Sequence, residues 1–224
     1  MTITYRALAA LLDYPTAELV AALPEIGSVI ERDAKLGRRE RGALRALIAE
    51  LAASDLLDAQ ERYVELFDRG RSTSLHLFEH VHGESRDRGQ AMVDLNATYA
   101  QAGLELAANQ LPDYLPVLLE FLSLQPEAVG RDMLGDCAHI VRKVGAVLAK
   151  RKSAYSAVFA AVLALARERA LGTDTTSAQD EDRPLDDEWI EEPVVFGPAA
   201  GSACSVKPPS TSVIQFMPRA AAPR

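Results

Sequence analysis

Apolar residues recur at helical spacing along the first 171 positions, and no stretch shows the strict alternation of a half-buried strand. Tyr5, Leu8, Leu11 and Leu12 form the first stripe, which Pro15 ends. Thr16 suits the cap of a second helix with Leu19, Val20 and Leu23 inward, and Pro24 suits the start of a further turn. Leu44, Leu47, Ile48 and Leu51 make an i, i+3, i+4, i+7 stripe opposite Arg38, Arg39, Glu40, Arg41 and Arg45. Ser54 is the expected cap of the next helix, whose inward side is Leu56, Leu57, Tyr63, Leu66 and Phe67. A helix opened by Ser85 is expected to end at Gly103, a C′ glycine. Pro116 is tolerable only in a first turn, so a helix begins beside it. Two long segments follow, Pro126–Arg151 and Ser153–Leu171. The expected architecture is an all-α, single-domain bundle of about seven or eight helices.

Charge divides the chain differently from hydropathy. Of a net charge of −8, a net −5 falls between Gly172 and Arg224, in a segment rich in Pro, Ser, Thr, Gly and Ala. Such a segment buries too little apolar surface to offset its ordering entropy. The expected organisation is a helical domain over 1–171 and a largely disordered acidic tail over 172–224. Within the tail, Asp186–Phe196 sets the only tryptophan, Trp189, beside Val194, Val195 and Phe196, a candidate docking segment. The acidic balance argues against nucleic acid as a partner. No apolar run is long enough for a membrane span, and the N-terminus is not a convincing signal peptide, so no direct membrane insertion is expected. Cys137 and Cys204 give no disulfide framework. A cytoplasmic location is the simplest reading.

Candidate chemistry concentrates in YVELFDRGRSTSLHLFEHVHGESRDRGQAMVDL, from Tyr63 to Leu95, which holds three of the four histidines. His76, Glu79 and His80 fit the H-x-x-E-H pattern of inverted zinc peptidases, which makes a zinc-dependent hydrolase the alternative function. That pattern also needs a third ligand and substrate-binding strands, and the chain offers no strands. Glu79-x-x-His82 with Asp136-x-x-His139, and Glu105 or Glu120 as further carboxylates, gives a weaker di-iron reading. A purely structural network is also open, with Glu79 and Glu84 paired to Arg86 and Arg88 and His82 to Glu79. No phosphate-binding loop, dinucleotide fingerprint or nucleophile elbow is present, and Cys137 sits mid-helix without an adjacent base.

The Tyr63–Leu95 block, together with LPDYLPVLLEFLS at Leu111–Ser123, closely resembles the nitrate reductase molybdenum cofactor assembly chaperones. These are the delta subunits (NarJ type) within the larger family of redox enzyme maturation proteins. LLDYPTAELVAALPEI near the start and PLDDEWIEEPVVF in the tail extend the resemblance over nearly the whole chain. It implies a cofactor-free helical chaperone, not an enzyme and not part of the mature reductase. The implied client is the apo form of the catalytic alpha subunit, alone or with beta, gripped chiefly by its N-terminal segment. That grip would keep it competent for molybdenum cofactor insertion and hold back its membrane assembly. Implied contacts extend to molybdenum cofactor biosynthesis or delivery proteins. Tyr114 stands where sister chaperones commonly have a histidine. A basic helical peptide calls for an apolar groove rimmed by acids. The expected floor is Tyr63, Leu66, Phe67, Phe78, Met92, Tyr114, Leu115 and Leu119, and the expected rim is Asp68, Glu79, Glu84 and Glu120, with His76, His82 and Arg86 beside them. Histidines titrating near neutrality would make the grip weaken on acidification.

Overall fold

The computed structural model describes residues 3–82, 86–107 and 110–171, apart from the side chains of His82 and Arg86. The α-helices are α1 (Ile3–Leu12), α2 (Ala17–Arg32), α3 (Arg38–Ala53), α4 (Leu56–Phe67) and α5 (Glu79–His82), then α6 (Arg86–Gln101), α7 (Leu115–Leu124), α8 (Glu127–Lys150) and α9 (Ser156–Leu165), with a 3-10 turn at Arg71–Thr73. Among the described residues there is no strand, as the spacing predicts. The α-helix count among the described residues rises to nine through α5, a single turn inside the histidine block. Gly83, Glu84, Ser85 and the acidic tail with Trp189 lie outside the described residues, as do the side chains of His82 and Arg86.

The burial pattern follows composition. α1 and α9 are apolar on almost every side, and a helix of that kind is stable only inside a core. Leu8, Leu11 and Leu12 of α1 and Val158, Leu163 and Val162 of α9 are at most 1% exposed. α1 lies along α7, α9 lies along α8 and α3, and α2 packs on α3 and α1. Leu44, Leu47 and Leu51 are buried as predicted, with Ile48 partly so. Each such side chain contributes about 1.5–3 kcal/mol on burial. α6 is the exception, because Tyr99 is its one buried side chain among those described.

Caps explain most boundaries and several departures from the predicted ones. Thr16 accepts from Leu19 N (3.2 Å), as expected. α4 is capped by Asp55, which accepts from Leu57 N (2.9 Å). Ser54 instead donates to Glu50 O (2.7 Å), so it closes α3. Pro24 does not open a new turn; it lies inside α2, which runs through it. Gly103 (φ +76°) ends α6 in a Schellman motif, with Gly103 N→Ala100 O at 2.9 Å and Leu104 N→Tyr99 O at 3.0 Å. The same motif closes α8 at Lys152 (φ +56°) and α9 at Arg167 (φ +58°). The second of these stops the helix well short of Leu171, and no glycine announces it.

Tyr155 sits at the α8–α9 turn, 5% exposed, with its ring edge-on to Phe67 at 5.2 Å. Its hydroxyl is buried and has no hydrogen-bond partner, and burial pushes its pKa up to about 12. A buried donor left unpaired costs about 1–3 kcal/mol. Tyr155→Phe is therefore expected to stabilise the protein by about 1 kcal/mol. A urea titration with a raised midpoint and unchanged slope would show it, and a lower midpoint would refute it.

Candidate functional site

The two blocks that stand out in the sequence meet in space. The chain before α5 pairs antiparallel with the chain before α7, through Leu77 N→Asp113 O (3.0 Å) and Leu115 N→Leu75 O (2.9 Å). This places His76 opposite Tyr114, with their rings 5.2 Å apart. Asp113 is the hub. It is fully buried and accepts from His76 Nδ1 at 3.2 Å and from Phe78 N at 3.1 Å. A carboxylate only accepts, so the His76 proton sits on Nδ1. That hydrogen bond raises the His76 pKa above the usual histidine value, although burial opposes it. Tyr99 anchors the same loop by donating to Pro112 O at 2.8 Å.

A second layer holds α5. Ser74 donates to Glu79 Oε2 (2.6 Å), and Arg88 reaches Glu79 Oε1 (3.3 Å) from α6. His80 Nε2 lies 2.9 Å from Ser74 O, and burial lowers the His80 pKa. The Glu79–Arg88 pair matches the structural network read from the sequence. The zinc reading fails on geometry: His76 precedes α5 instead of lying one turn from His80 on it. Both rings are bonded to Asp113 or to the Ser74 carbonyl. Among the described residues no three of His, Cys, Asp and Glu gather as a metal-holding group. Asp136 and His139 are exposed on α8, so the di-iron reading lacks an inward pair. Burial pushes the Cys137 thiol up to about 12, which leaves it unreactive.

Tyr114 links this region to α1 and α4. Tyr63 Oη lies 2.8 Å from Leu12 O and 2.9 Å from Tyr114 Oη. The carbonyl needs the Tyr63 proton, so Tyr114 must donate to Tyr63. Tyr14, 42% exposed, packs edge-on against Tyr63 at 5.6 Å. Asp13 and Asp68 act electrostatically on Tyr114, and both are exposed. The half-exposed aromatic surface is thus bordered by carboxylates.

The predicted groove set divides accordingly. Tyr63, Phe67, Leu115 and Leu119 are core, at 4%, 5%, 1% and 0% exposure, and support the surface from beneath. Leu66, Phe78, Met92 and Tyr114 are partly exposed, and Asp68 and Glu120 are exposed. Glu79 is already bonded within the fold. Sequence reasoning missed Asp113, Ser74 and Tyr14. Asp113 carried a signal, because a lone acid in the apolar run LPDYLPVLL is buried only when paired.

Fold and site together define a helical scaffold, with His76 and His80 bonded into a loop pairing and the rings of Tyr14 and Tyr114 partly exposed beside it. The family model described as nitrate reductase delta subunit matches residues 31–161. The nitrate reductase molybdenum cofactor assembly chaperone NarJ of Escherichia coli K12 is 44% identical over 193 residues, covering 83% of this chain and 81% of that one. The probable assembly chaperone NarW of the same strain is 40% identical over 205 residues, with 88% and 85% covered. The probable NarJ of Bacillus subtilis 168 is 33% identical over 163 residues, with 72% and 87% covered. The chain belongs to the nitrate reductase delta subunit family. It is accordingly an assembly chaperone and not an enzyme.

Proposed function

We propose that this chaperone binds the apo catalytic (alpha) subunit of respiratory nitrate reductase in the cytoplasm, chiefly through that subunit's N-terminal segment. It keeps the subunit competent for molybdenum cofactor insertion and is absent from the mature enzyme. The observation that carries this reading is the 44% identity to the Escherichia coli chaperone across about four-fifths of both chains. No described helix is long and apolar enough to cross a membrane, which suits a partner that acts before membrane assembly. The surface around Tyr114 supports the choice of a basic segment. Its aromatic rings accept apolar anchors, and its oxygen atoms accept hydrogen bonds from cations.

Calorimetry with a peptide of the first residues of the cognate alpha subunit tests the reading. Saturable one-to-one binding is expected. The double variant Asp13→Lys, Asp68→Lys alters two exposed positions and should weaken it by about tenfold at low salt, with a smaller effect at high salt. Affinity should also fall from pH 8 to pH 6, as His76 gains charge beside a cationic ligand. Absence of saturable binding overturns the client; binding indifferent to the double variant overturns the surface.

A further inference from the structure

A second candidate site lies away from the His76–Tyr114 surface. Parts of α3, α4 and the α8–α9 turn enclose an open recess of about 250 Å³. Leu51, Ala59, Leu66 and Ala154 make it apolar, and Tyr155 lines it as well. The Tyr155 side chain is more than nine-tenths buried, and its hydroxyl has no hydrogen-bond partner. The charged groups acting on that hydroxyl are Arg62 and, less strongly, Glu50, both of which line the same recess. Arg62 reaches Glu50 at 3.0 Å, and these two side chains are 43% and 48% exposed. Arg62 also donates to Asp58 O at 3.2 Å and to the Ser54 hydroxyl.

We propose that this recess docks an acidic side chain from a segment of a partner protein. The incoming carboxylate takes the place of Glu50 on Arg62 and accepts the Tyr155 O–H, while its aliphatic stem fills the apolar floor. Three observations select this occupant. The hydroxyl is an unused donor on which the Arg62 guanidinium acts, and Arg62 and Lys152 balance Glu50 and Glu65 in the lining, so displacing Glu50 leaves a net positive charge for an incoming carboxylate. Glu50 is held by an exposed ion pair, the kind that contributes little and is exchanged readily. The volume is smaller than that of ordinary small-molecule pockets, roughly 300–1,000 Å³, so it suits one side chain of a peptide better than a whole metabolite. The proposal is independent of the client reading, because the expected client segment is basic and this occupant is acidic.

The full chain, labelled with 15N, would be titrated with N-acetyl-glutamate N-methylamide as probe. Saturable shifts are expected at the Arg62 Nε–H and the Ser153–Tyr155 amides. Tyr155→Phe should weaken the probe by about fivefold, Arg62→Gln should abolish saturation, and Glu50→Gln should tighten binding. Tyr155→Phe is expected to be the more stable protein, so its weakening cannot reflect loss of fold. The proposal is overturned if the blocked glutamate gives no saturable shift, if Tyr155→Phe binds like the wild type, or if blocked lysine shifts the same amides instead.

Discussion

Asp113→Ala is expected to destabilise the protein by about 3–5 kcal/mol, the range found when a buried, paired charge is broken. The substitution strips the acceptor from two donors at once, the His76 ring N–H and the Phe78 main-chain N–H. Each such orphan costs about 1–3 kcal/mol when water cannot replace the lost partner. The loss also loosens the pairing that seats the chain before α5 against the chain before α7. Asp113→Asn keeps one acceptor and should lose less. Part of the effect depends on pH. The folded protein holds the His76 pKa above its ordinary value, chiefly through the Asp113 hydrogen bond. A raised folded pKa contributes stability that is fully present below the unfolded value of about 6.5 and is lost as pH rises through the folded value. The gap between wild type and Asp113→Ala should therefore be wider at pH 6 than at pH 8.5 in urea titrations. A gap that stays constant would show that His76 draws no such support from Asp113.

The helices were legible because their signal is local. Stripes such as Leu44, Leu47 and Leu51 need only the period of one helix to be read, and they are buried. Gly103 was readable as a helix end because glycine adopts a left-handed backbone freely. Lys152 and Arg167 adopt the same conformation with no compositional mark, so the end of α9 was placed too late. The site was harder for a different reason. His76 and Asp113 stand 37 residues apart, and nothing in either block says that the two segments pair across that gap. A helix period also cannot separate a groove from a core. Phe67 and Leu66 are neighbours on one predicted helix, as are Leu119 and Glu120, yet Phe67 and Leu119 are buried while Leu66 is partly exposed and Glu120 exposed. What the resemblance supplied was the class of partner, while the wiring of Asp113, Ser74 and Tyr63 needed the fold.

Gly145→Val should destabilise the protein by about 3 kcal/mol, near the upper end of the overpacking range. Gly145 is buried on α8, which packs against α9. A Cβ at this position would lie 2.8 Å from Phe159 Cβ and 2.9 Å from Leu171 Cδ2. The leucine tip can swing away, but the Phe159 Cβ is fixed to the main chain of α9 and can retreat only if the helix moves. Alanine would recover about 1 kcal/mol of helix propensity against this clash, so Gly145→Ala should fall close to neutral or modestly below wild type. Valine adds two further methyl groups and gives up that compensation. Trimming the movable neighbour separates the two contributions: Leu171→Ala in the Gly145→Val background should restore only part of the loss, since the Phe159 contact remains. Full restoration would mean that Leu171 alone sets the spacing. A Gly145→Val protein within about 0.5 kcal/mol of wild type would show that α8 and α9 do not pack at this distance.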